Sequence, residues 1–438
     1  MPQQSNNLEL EEQFFTTPAV RWQYWIPAIR MTRAFRMAID YRRMLLALIA
    51  VFLWGAGTVL MFPPDTMDSS RELIRNRIDP DPSRMPWEEG MIISSHAFNA
   101  QGLVNAPGNS FLYAFSNGAA ILWPVRKMMQ PASELLFPSG DLMTWFRACG
   151  ATLWGLLICS LFGGAIARMA AVDFAGRGEL SVRQGFRYSV RHCFSYLGAP
   201  LIPLAGLAFC WIPNLLAGWV ARVPYVGDTL VGVLWILPVI FGALMALIVI
   251  GIAVGWPLMV GAISADASDA FDGLSRAYSY LFNQLWYLVV LVLIMLLTGS
   301  AALYLVNGLL SLTVDLTKAS VATGDGGTLS GYFVLRGGQG MFSPNADASE
   351  MSQMAIWVWG IVIRSIPIAF IFSYFWTTTT LIYFLLRLRD DATPLTEVAG
   401  FSTSQETAGI PVVGIPAAQL REASSPNGTG PDASVSNS

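Results

Sequence analysis

The sequence predicts an all-α protein, a polytopic transmembrane helix bundle with about six spans. Composition is the first reason: 54% of the 438 residues are hydrophobic and only 13% are charged, whereas a soluble domain carries roughly a quarter charged residues. The mean hydropathy is accordingly positive, at +0.50. The second reason is that several apolar runs exceed about 20 residues, the length that a helix needs to cross a bilayer.

Residues 1–43 precede the first apolar run and are first polar and then basic. That order, and the start of the run only near Met44, are not typical of a cleaved signal peptide. We therefore expect 1–43 to be a cytoplasmic segment with a basic amphipathic helix, and the first span to stay in the membrane as an anchor.

The predicted transmembrane domain covers 44–386. Its six spans are about 44–62, 145–168, 195–220, 229–262, 285–312 and 355–386. The fourth and sixth spans are longer than a straight crossing needs and contain proline, which indicates kinks or tilt. For the fourth span, a re-entrant pair of helices within 224–262 is the alternative.

Arginine placement predicts the orientation of these spans. Arginines are concentrated before the first span, between the second and third, and after the sixth. They are Arg21, Arg30, Arg33, Arg36, Arg42 and Arg43, then Arg168, Arg177, Arg183, Arg187 and Arg191, then Arg387 and Arg389. Because cytoplasmic loops carry the excess of positive charge, both termini should be cytoplasmic.

Two segments, 63–144 and 313–354, are then extracytoplasmic. The first ends in FLYAFSNGAAILWPVRKMMQPASELLF, which predicts helix pieces lying on the outer leaflet and divided by Pro124 and Pro131. The second is rich in glycine and serine and predicts a loop. The last segment, 387–438, has almost no aromatic residues beyond Asp390 and is expected to be a disordered cytoplasmic tail.

A polar but aromatic stretch, SDAFDGLSRAYSYLFNQLWY, runs from Ser268 to Tyr287 between the fourth and fifth spans. On a helix, four of its residues share one face at spacings of three and four. They are Phe271, Leu274, Tyr278 and Leu281. This pattern predicts a cytoplasmic interfacial amphipathic helix. For the nearby Asp266, Asp269 and Asp272, a solvated helix face and a weak site for a cation or a basic partner are the alternatives.

A similar element, LSVRQGFRYSVRHCF, precedes the third span at 180–194. An offset of 90 residues aligns its Tyr-Ser step with that of the later helix, whereas an offset of 88 aligns Gly185 with Gly273 and keeps the apolar faces in phase. We prefer 88. A span–helix–span unit would then occur twice, at 145–220 and 229–312, as parallel repeats. The alternative is that any basic or aromatic loop at a membrane surface forms such a helix.

The segments DAFDGLSRAYSY and YFLLRLRDDATPLTEV resemble a family of uncharacterised bacterial multi-pass membrane proteins. The resemblance covers most of 140–400 and implies the same architecture, without an activity that could be transferred. More distantly, an interfacial helix ending in a Ser or Tyr-Ser step before a span is similar to the membrane domain attached to some glycerophosphodiester phosphodiesterases. This sequence does not contain the acidic metal-binding motif of those enzymes, so their activity is not implied.

Arginines at membrane depth are the main candidates for a functional site. Arg147 and Arg364 could contact an anion or pair with Asp315, and snorkelling to the outer headgroups is the alternative. The basic helix offers Arg183, Arg187 and Arg191 to anionic lipid. Two other polar groups have structural interpretations. Asn214 and Asn307 are expected to bridge helices, and Thr377–Thr380 are expected to bond to the preceding helical turn.

The histidines, cysteines and sequence motifs predict no cofactor-binding or metal-binding site. The two His are far apart, and the four Cys lie in or beside apolar runs, where packing is their expected role. No nucleotide-binding pattern occurs, and a net charge of −3 gives no case for nucleic acid.

These observations favour a non-enzymatic accessory or scaffold protein of the bacterial envelope. Its expected partners are the lipid bilayer, other membrane proteins or a second copy of the chain. A solute or ion permease with a site near Arg364 is the alternative, because the repeat and the proline-bearing spans are features of transporters. A membrane-embedded enzyme acting on lipid is least favoured, because the spans contain no convincing set of acid, base and metal ligands.

Overall fold

The computed structural model of the chain describes residues 31–61, 118–136, 142–325 and 349–400. These ranges form helices and connecting turns, without a strand. The helices are α1 (Arg33–Ala38), α2 (Tyr41–Met61), α3 (Trp123–Leu136), α4 (Leu142–Ile158), α5 (Gly164–Phe174), α6 (Val182–Arg191), α7 (Cys193–Val220), α8 (Gly227–Val233), α9 (Ile236–Asp266), α10 (Ala270–Asn283), α11 (Leu285–Asp325) and α12 (Glu350–Asp390). A 3₁₀ turn, Gly118–Leu122, leads into α3, and a π-helical turn, Cys159–Gly163, joins α4 to α5.

Six stretches in the described ranges are long and apolar enough to cross a membrane. They are Tyr41–Met61, Leu142–Phe174, Cys193–Val220, Ile236–Asp266, Leu285–Gly324 and Met354–Asp390. Each has at least 21 residues, and about 20 are sufficient for the hydrocarbon layer. The prediction of an all-α polytopic bundle is therefore confirmed, and the protein is an integral, multi-pass membrane protein.

Some boundaries differ from the sequence prediction. The short helix α8 comes first, and α9 then continues without a break from Ile236 through Pro257 to Asp266, so 236–262 is one helix. α11 extends through 313–325 and α12 begins before 355, which shortens the predicted loop 313–354 at both ends. Residues 326–348 of that loop lie outside the described residues.

Residues 118–136 of the first extracytoplasmic segment pack against the bundle through one buried face, and residues such as Arg126 are exposed. Ile121 and Trp123 are fully buried, and the Trp123 ring lies 5.5 Å from that of Trp54 on α2. This segment packs closely on α11 at Gly299, where an added Cβ would be 2.9 Å from Ile121. The predicted division at Pro131 is wrong, because α3 runs through that proline. The predicted position on the outer leaflet stays a prediction. Residues 63–117 and 137–141 lie outside the described residues.

α12 is the central helix of the bundle. Every residue from Pro367 to Arg387 is buried. Two neighbouring helical segments approach it closely at glycines: a Cβ on Gly163 would lie 2.6 Å from the Trp376 ring, and a Cβ on Gly261 would lie 2.8 Å from the Tyr383 Cβ. Small residues at such contacts allow membrane helices to pack closely.

Both ends of the predicted membrane domain are more closely built into the bundle than expected. α1 packs against α12, with the Phe35 and Phe370 rings 6.3 Å apart. Beyond α12 the chain folds back, and Leu395 and Val398 are buried. The first part of the predicted tail 387–438 is therefore ordered. Residues 1–30 and 401–438 lie outside the described residues.

The helices α6 and α10 share their local geometry at an offset of 88 residues. Both begin at a capping side chain in extended conformation, Ser181 for α6 and Asp269 for α10. In both, a buried glycine then packs on the preceding helix: a Cβ on Gly185 would be 2.8 Å from Met169, and one on Gly273 would be 3.1 Å from Ile263. An offset of 90 would instead match buried Gly185 with an exposed serine. The preferred register is therefore the one that the structure supports.

Candidate functional site

The carboxylate of Asp266, the last residue of α9, is the centre of a buried polar cluster. Its Oδ1 accepts a hydrogen bond from the Arg387 guanidinium, and its Oδ2 accepts one from the Tyr383 hydroxyl. Arg276 adds a third contact, with 3.1 Å between Nη1 and Oδ2. The side chains of Asp266 and Arg387 are only 13% and 4% exposed. We call Asp266, Arg276, Tyr383 and Arg387 the Asp266 cluster.

Local sequence explains how Arg276 reaches this carboxylate. Ala267 adopts a left-handed conformation, with φ 53°, and ends α9. Asp269 then caps α10 by accepting a hydrogen bond from the Asp272 amide at 2.8 Å. α10 folds back along α9, and the Arg276 Nε also donates to Asp272 at 3.0 Å. Each of the three acids therefore has a structural role, which argues against the cation or partner site considered for them.

A second buried group joins the two span–helix–span units. The guanidinium of Arg168, in the middle of α5, donates to the Ser264 carbonyl at 2.7 Å and lies 4.3 Å from the centre of the Tyr188 ring. The Tyr188 hydroxyl donates to the Ile263 carbonyl at 2.8 Å. Burial raises the pKa of Tyr188, which favours the protonated phenol needed for that bond. Tyr196 and Ser264 share a further hydrogen bond at 2.8 Å between their hydroxyls.

A third buried group, the Arg43–Asp173 ion pair, ties α2 to the end of α5. Arg43 is almost fully buried and lies 2.7 Å from the Asp173 carboxylate. The same guanidinium donates to the Met169 carbonyl at 3.2 Å. Arg43 and Arg168 were expected on the cytoplasmic surface, but the structure places both inside the bundle. We call this end of the bundle, where α5, α9 and α12 terminate, the polar end.

The charges at the polar end pair mostly with each other. Asp173 and Asp266 each contact a buried arginine. Among the described residues, no group of three or more His, Cys, Asp or Glu could hold a metal ion. This arrangement can lock helices together.

Three predicted site residues do form one surface. Arg183, Arg187 and Arg191 recur every four residues along α6, and all three are exposed. No hydrogen bond or ion pair joins them to the described part of the chain. Their free guanidinium groups are therefore accessible to an anion. We call them the α6 arginine stripe.

The other two predicted residues lie elsewhere, on separate helices. Arg147, on α4, is partly exposed and has no hydrogen bond or ion pair with the described residues, as expected of a snorkelling side chain. Arg364, on α12, is only 9% exposed. Asp315 is exposed on α11 and forms no ion pair with either arginine. The predicted site residues thus do not converge on one centre.

Asn307 on α11 was expected to bridge helices, and it does not do so within the described residues. It is fully buried, and neither its amide nitrogen nor its oxygen has a hydrogen-bond partner. α11 and α12 run antiparallel, because Gln284 bonds to Asp390 at one level and Thr298 to Tyr374 at another. Counting about 1.5 Å per residue from the second contact places Asn307 and Arg364 at similar heights.

The threonine run follows its expected structural role. The hydroxyls of Thr378 and Thr380 donate to carbonyls one turn earlier in α12, at 2.7 and 2.8 Å. Thr379 makes a similar bond, at 3.2 Å. Thr377 is buried without a hydrogen-bond partner. The three bonds satisfy these groups within one helix, so the run does not form a polar pathway.

An apolar cleft of about 460 Å³ lies between α3, α4, α7 and α9. Its walls are mostly aliphatic and aromatic and include Trp145, Trp211 and Trp256. Its one hydroxyl, on Thr152, already donates to the Ala148 carbonyl at 2.8 Å. Ligand sites normally add a few free polar groups that orient the ligand, and this cleft lacks an available hydroxyl or charged group.

Comparison of the chain with protein-family models, with curated proteins and with solved structures finds no match. The resemblance to bacterial multi-pass membrane proteins therefore stays a prediction. The geometry of the bundle must carry any functional assignment.

Proposed function

We propose that the protein is a non-enzymatic accessory or scaffold protein of the bacterial inner membrane. In this proposal its partners are other membrane proteins, which bind a helical arm formed by residues 201–250: parts of the long helices α7 and α9 and the short helix α8 between them. The observation that carries the proposal is uneven burial among the spans. The most apolar window of Leu142–Phe174 is 89% buried in the bundle, but the corresponding windows in Cys193–Val220 and Ile236–Asp266 are each 11% buried.

The arm has a continuous exposed apolar surface. Of residues 201–250, all except Leu207, Cys210 and Gly227 are partly or fully exposed. Large side chains, including Trp211 and Trp235, are about half exposed or more, and tryptophan is among the residues that contribute most to interfaces. Lipid can cover such a surface, but so can helices of a partner.

The base of the arm is held firmly, which suits a scaffold. α9 continues from the arm into the Asp266 cluster, where it is fixed to α10 and α12. α7 begins beside the Tyr196–Ser264 hydrogen bond, which ties it to α9. Towards the other end, the apolar cleft separates the arm from α3 and α4. A partner could therefore dock on the arm without disrupting the buried polar contacts.

Site-specific photocrosslinking in cells tests the proposal. A photoreactive amino acid is placed at Leu216 or Leu237 in the arm, and at Leu293 on α11 as a control with 58% exposure. The expected result is a discrete protein adduct from both arm positions and none from Leu293. Lipid adducts alone from the arm positions, or the same protein adducts from all three, would contradict the proposal.

A permease is the second candidate, and the observation that favours it is the buried Asn307 amide near the height of Arg364. Leaving such a group without a hydrogen bond costs about 1–3 kcal/mol, which a bound polar solute could offset. Flux of chloride and small carboxylates into liposomes provides the test. Permeation by the wild type that is lost in both Arg364→Ala and Asn307→Leu would support this candidate, and a wild type that is impermeable to every anion tested would reject it.

A further inference from the structure

The α6 arginine stripe is an uncompensated positive surface. α6 contains three arginines and no acidic residue. The acids that precede it in the chain already pair with other arginines: Asp173 with Arg43 at 2.7 Å, and Glu179 with Arg42 at 2.9 Å. Among the described residues, no acid therefore neutralises the stripe.

The equivalent helix α10 shows that this charge is not required by the local fold. At the offset of 88 residues, Arg183, Arg187 and Arg191 correspond to Phe271, Ser275 and Ser279, which are also exposed. The acid and the arginine within α10 pair with each other, at 3.0 Å between Arg276 and Asp272. Two helices with the same caps and the same buried glycine thus differ in the charge of one exposed stripe.

The stripe lies next to the start of a membrane span. Phe194, the second residue of α7, is 88% exposed, and Val190, on the preceding turn, is 50% exposed. These apolar side chains need hydrocarbon around them, and Arg191 lies between them in the sequence. The opposite face of α6 is fixed on the bundle, because buried Ser189 donates a hydrogen bond to the Ser160 carbonyl. The arginines are therefore held near the depth of lipid headgroups.

We propose that Arg183, Arg187 and Arg191 form a binding site for the phosphate groups of anionic phospholipids in the leaflet at the polar end of the bundle. Guanidinium groups bind phosphate oxygens through paired hydrogen bonds, which lysine cannot reproduce. Each arginine near a charged lipid surface increases binding about fivefold. The apolar neighbours Val190 and Phe194 favour a lipid over a soluble acidic protein. This site goes beyond the proposed scaffold role and does not depend on it.

Native mass spectrometry of the purified full chain in detergent tests the site. Equal concentrations of phosphatidylglycerol and phosphatidylcholine are added, and the ratio of their bound adducts is measured. The wild type should prefer phosphatidylglycerol. Each single change of Arg183, Arg187 or Arg191 to Gln should reduce that preference about fivefold, and the triple variant should nearly abolish it.

Matched variants on α10 serve as the control. Ser275→Gln with Ser279→Gln should leave the lipid preference unchanged, and Ser275→Arg with Ser279→Arg should increase it. The gain variant keeps the test decisive if the loss variant folds poorly. An equal preference in the wild type and the triple arginine variant would overturn the proposal. Displacement of the lipid by inorganic phosphate at a similar concentration would also overturn it, because it would indicate a soluble phosphate ligand instead.

Discussion

Removing the charge of Asp266 should destabilise the bundle strongly. In Asp266→Asn the shape of the side chain is retained, but the buried guanidinium of Arg387 loses its ionised partner. Removing one member of a buried ion pair typically costs about 3–5 kcal/mol, because the remaining charge stays buried without compensation. The exposed fractions of 13% for Asp266 and 4% for Arg387 place this pair in the buried class.

The chain offers a matched control in the neighbouring acid. The side chains of Asp272 and Arg276 are 44% and 40% exposed, and such exposed pairs contribute about 0–1 kcal/mol. Asp272→Asn should therefore have a small effect. A double variant, Asp266→Asn with Arg387→Met, should recover part of the lost stability, because it removes the uncompensated charge.

Unfolding by sodium dodecyl sulfate in mixed micelles, followed by tryptophan fluorescence, measures these differences. The midpoint for Asp266→Asn should fall far below that of the wild type, and the midpoint for Asp272→Asn should stay close to it. Equal shifts for the two single variants would refute the reasoning, because they would show that burial of the Asp266 pair has no energetic consequence. A double variant no more stable than Asp266→Asn would show that the loss does not come from the unpaired Arg387.

Two further predictions concern packing and pH. Gly261→Ala should destabilise the protein by about 1–3 kcal/mol in the same unfolding assay, because the new Cβ would lie 2.8 Å from the Tyr383 Cβ. Gly242→Ala in the same helix is the control. Its Cβ would enter open space, so the change should be neutral or stabilising by up to about 1 kcal/mol. Burial and the hydrogen bond that Tyr280 donates to Asp391 raise the pKa of Tyr280. The stability from its protonated form is complete below the unfolded pKa of about 10 and is lost as pH rises through the folded value. Tyr280→Phe should therefore weaken the alkaline decline in melting temperature, and an unchanged decline would contradict this.

Sequence patterns predicted the spans and the register of the two surface helices well, for a physical reason. Crossing a bilayer requires a long apolar run, which is a local property of the chain. The phase of α6 and α10 was also readable, because the buried face of a helix repeats every three or four residues. Gly185 and Gly273 could be aligned before their contacts were known.

Features that depend on distant partners were not predictable in the same way. The segment around Trp123 has the amphipathic pattern of an interfacial helix, and the same pattern suits a helix packed against the spans. Its packing depends on the small size of Gly299, far along the chain. Arg43 and Arg168 count as surface charges in any rule based on loop composition, and their burial depends on Asp173 and the Ser264 carbonyl.

The candidate site was predicted only in part. The α6 arginine stripe was evident from spacing alone, since residues four apart share a helix face. The Asp266 cluster was missed, because its members come from three helices and each alone resembles an ordinary charge or tyrosine near the end of a span. Arg147 and Arg364 were selected by depth, and depth does not specify whether the two side chains meet.

The ion pairs at the polar end also explain why the first and last spans belong to the core of the molecule. Asp173 lies at the end of α5 and Asp266 at the end of α9, where the negative end of the helix dipole disfavours a carboxylate. Each of these acids receives a buried arginine from outside the two span–helix–span units: Arg43 from α2 and Arg387 from α12. In each unit the first span thus ends in an acid whose buried arginine partner comes from a flanking span, and Asp266 also contacts Arg276 of its own unit. These ion pairs join the flanking spans to both units and so help to stabilise the six-span bundle as a whole.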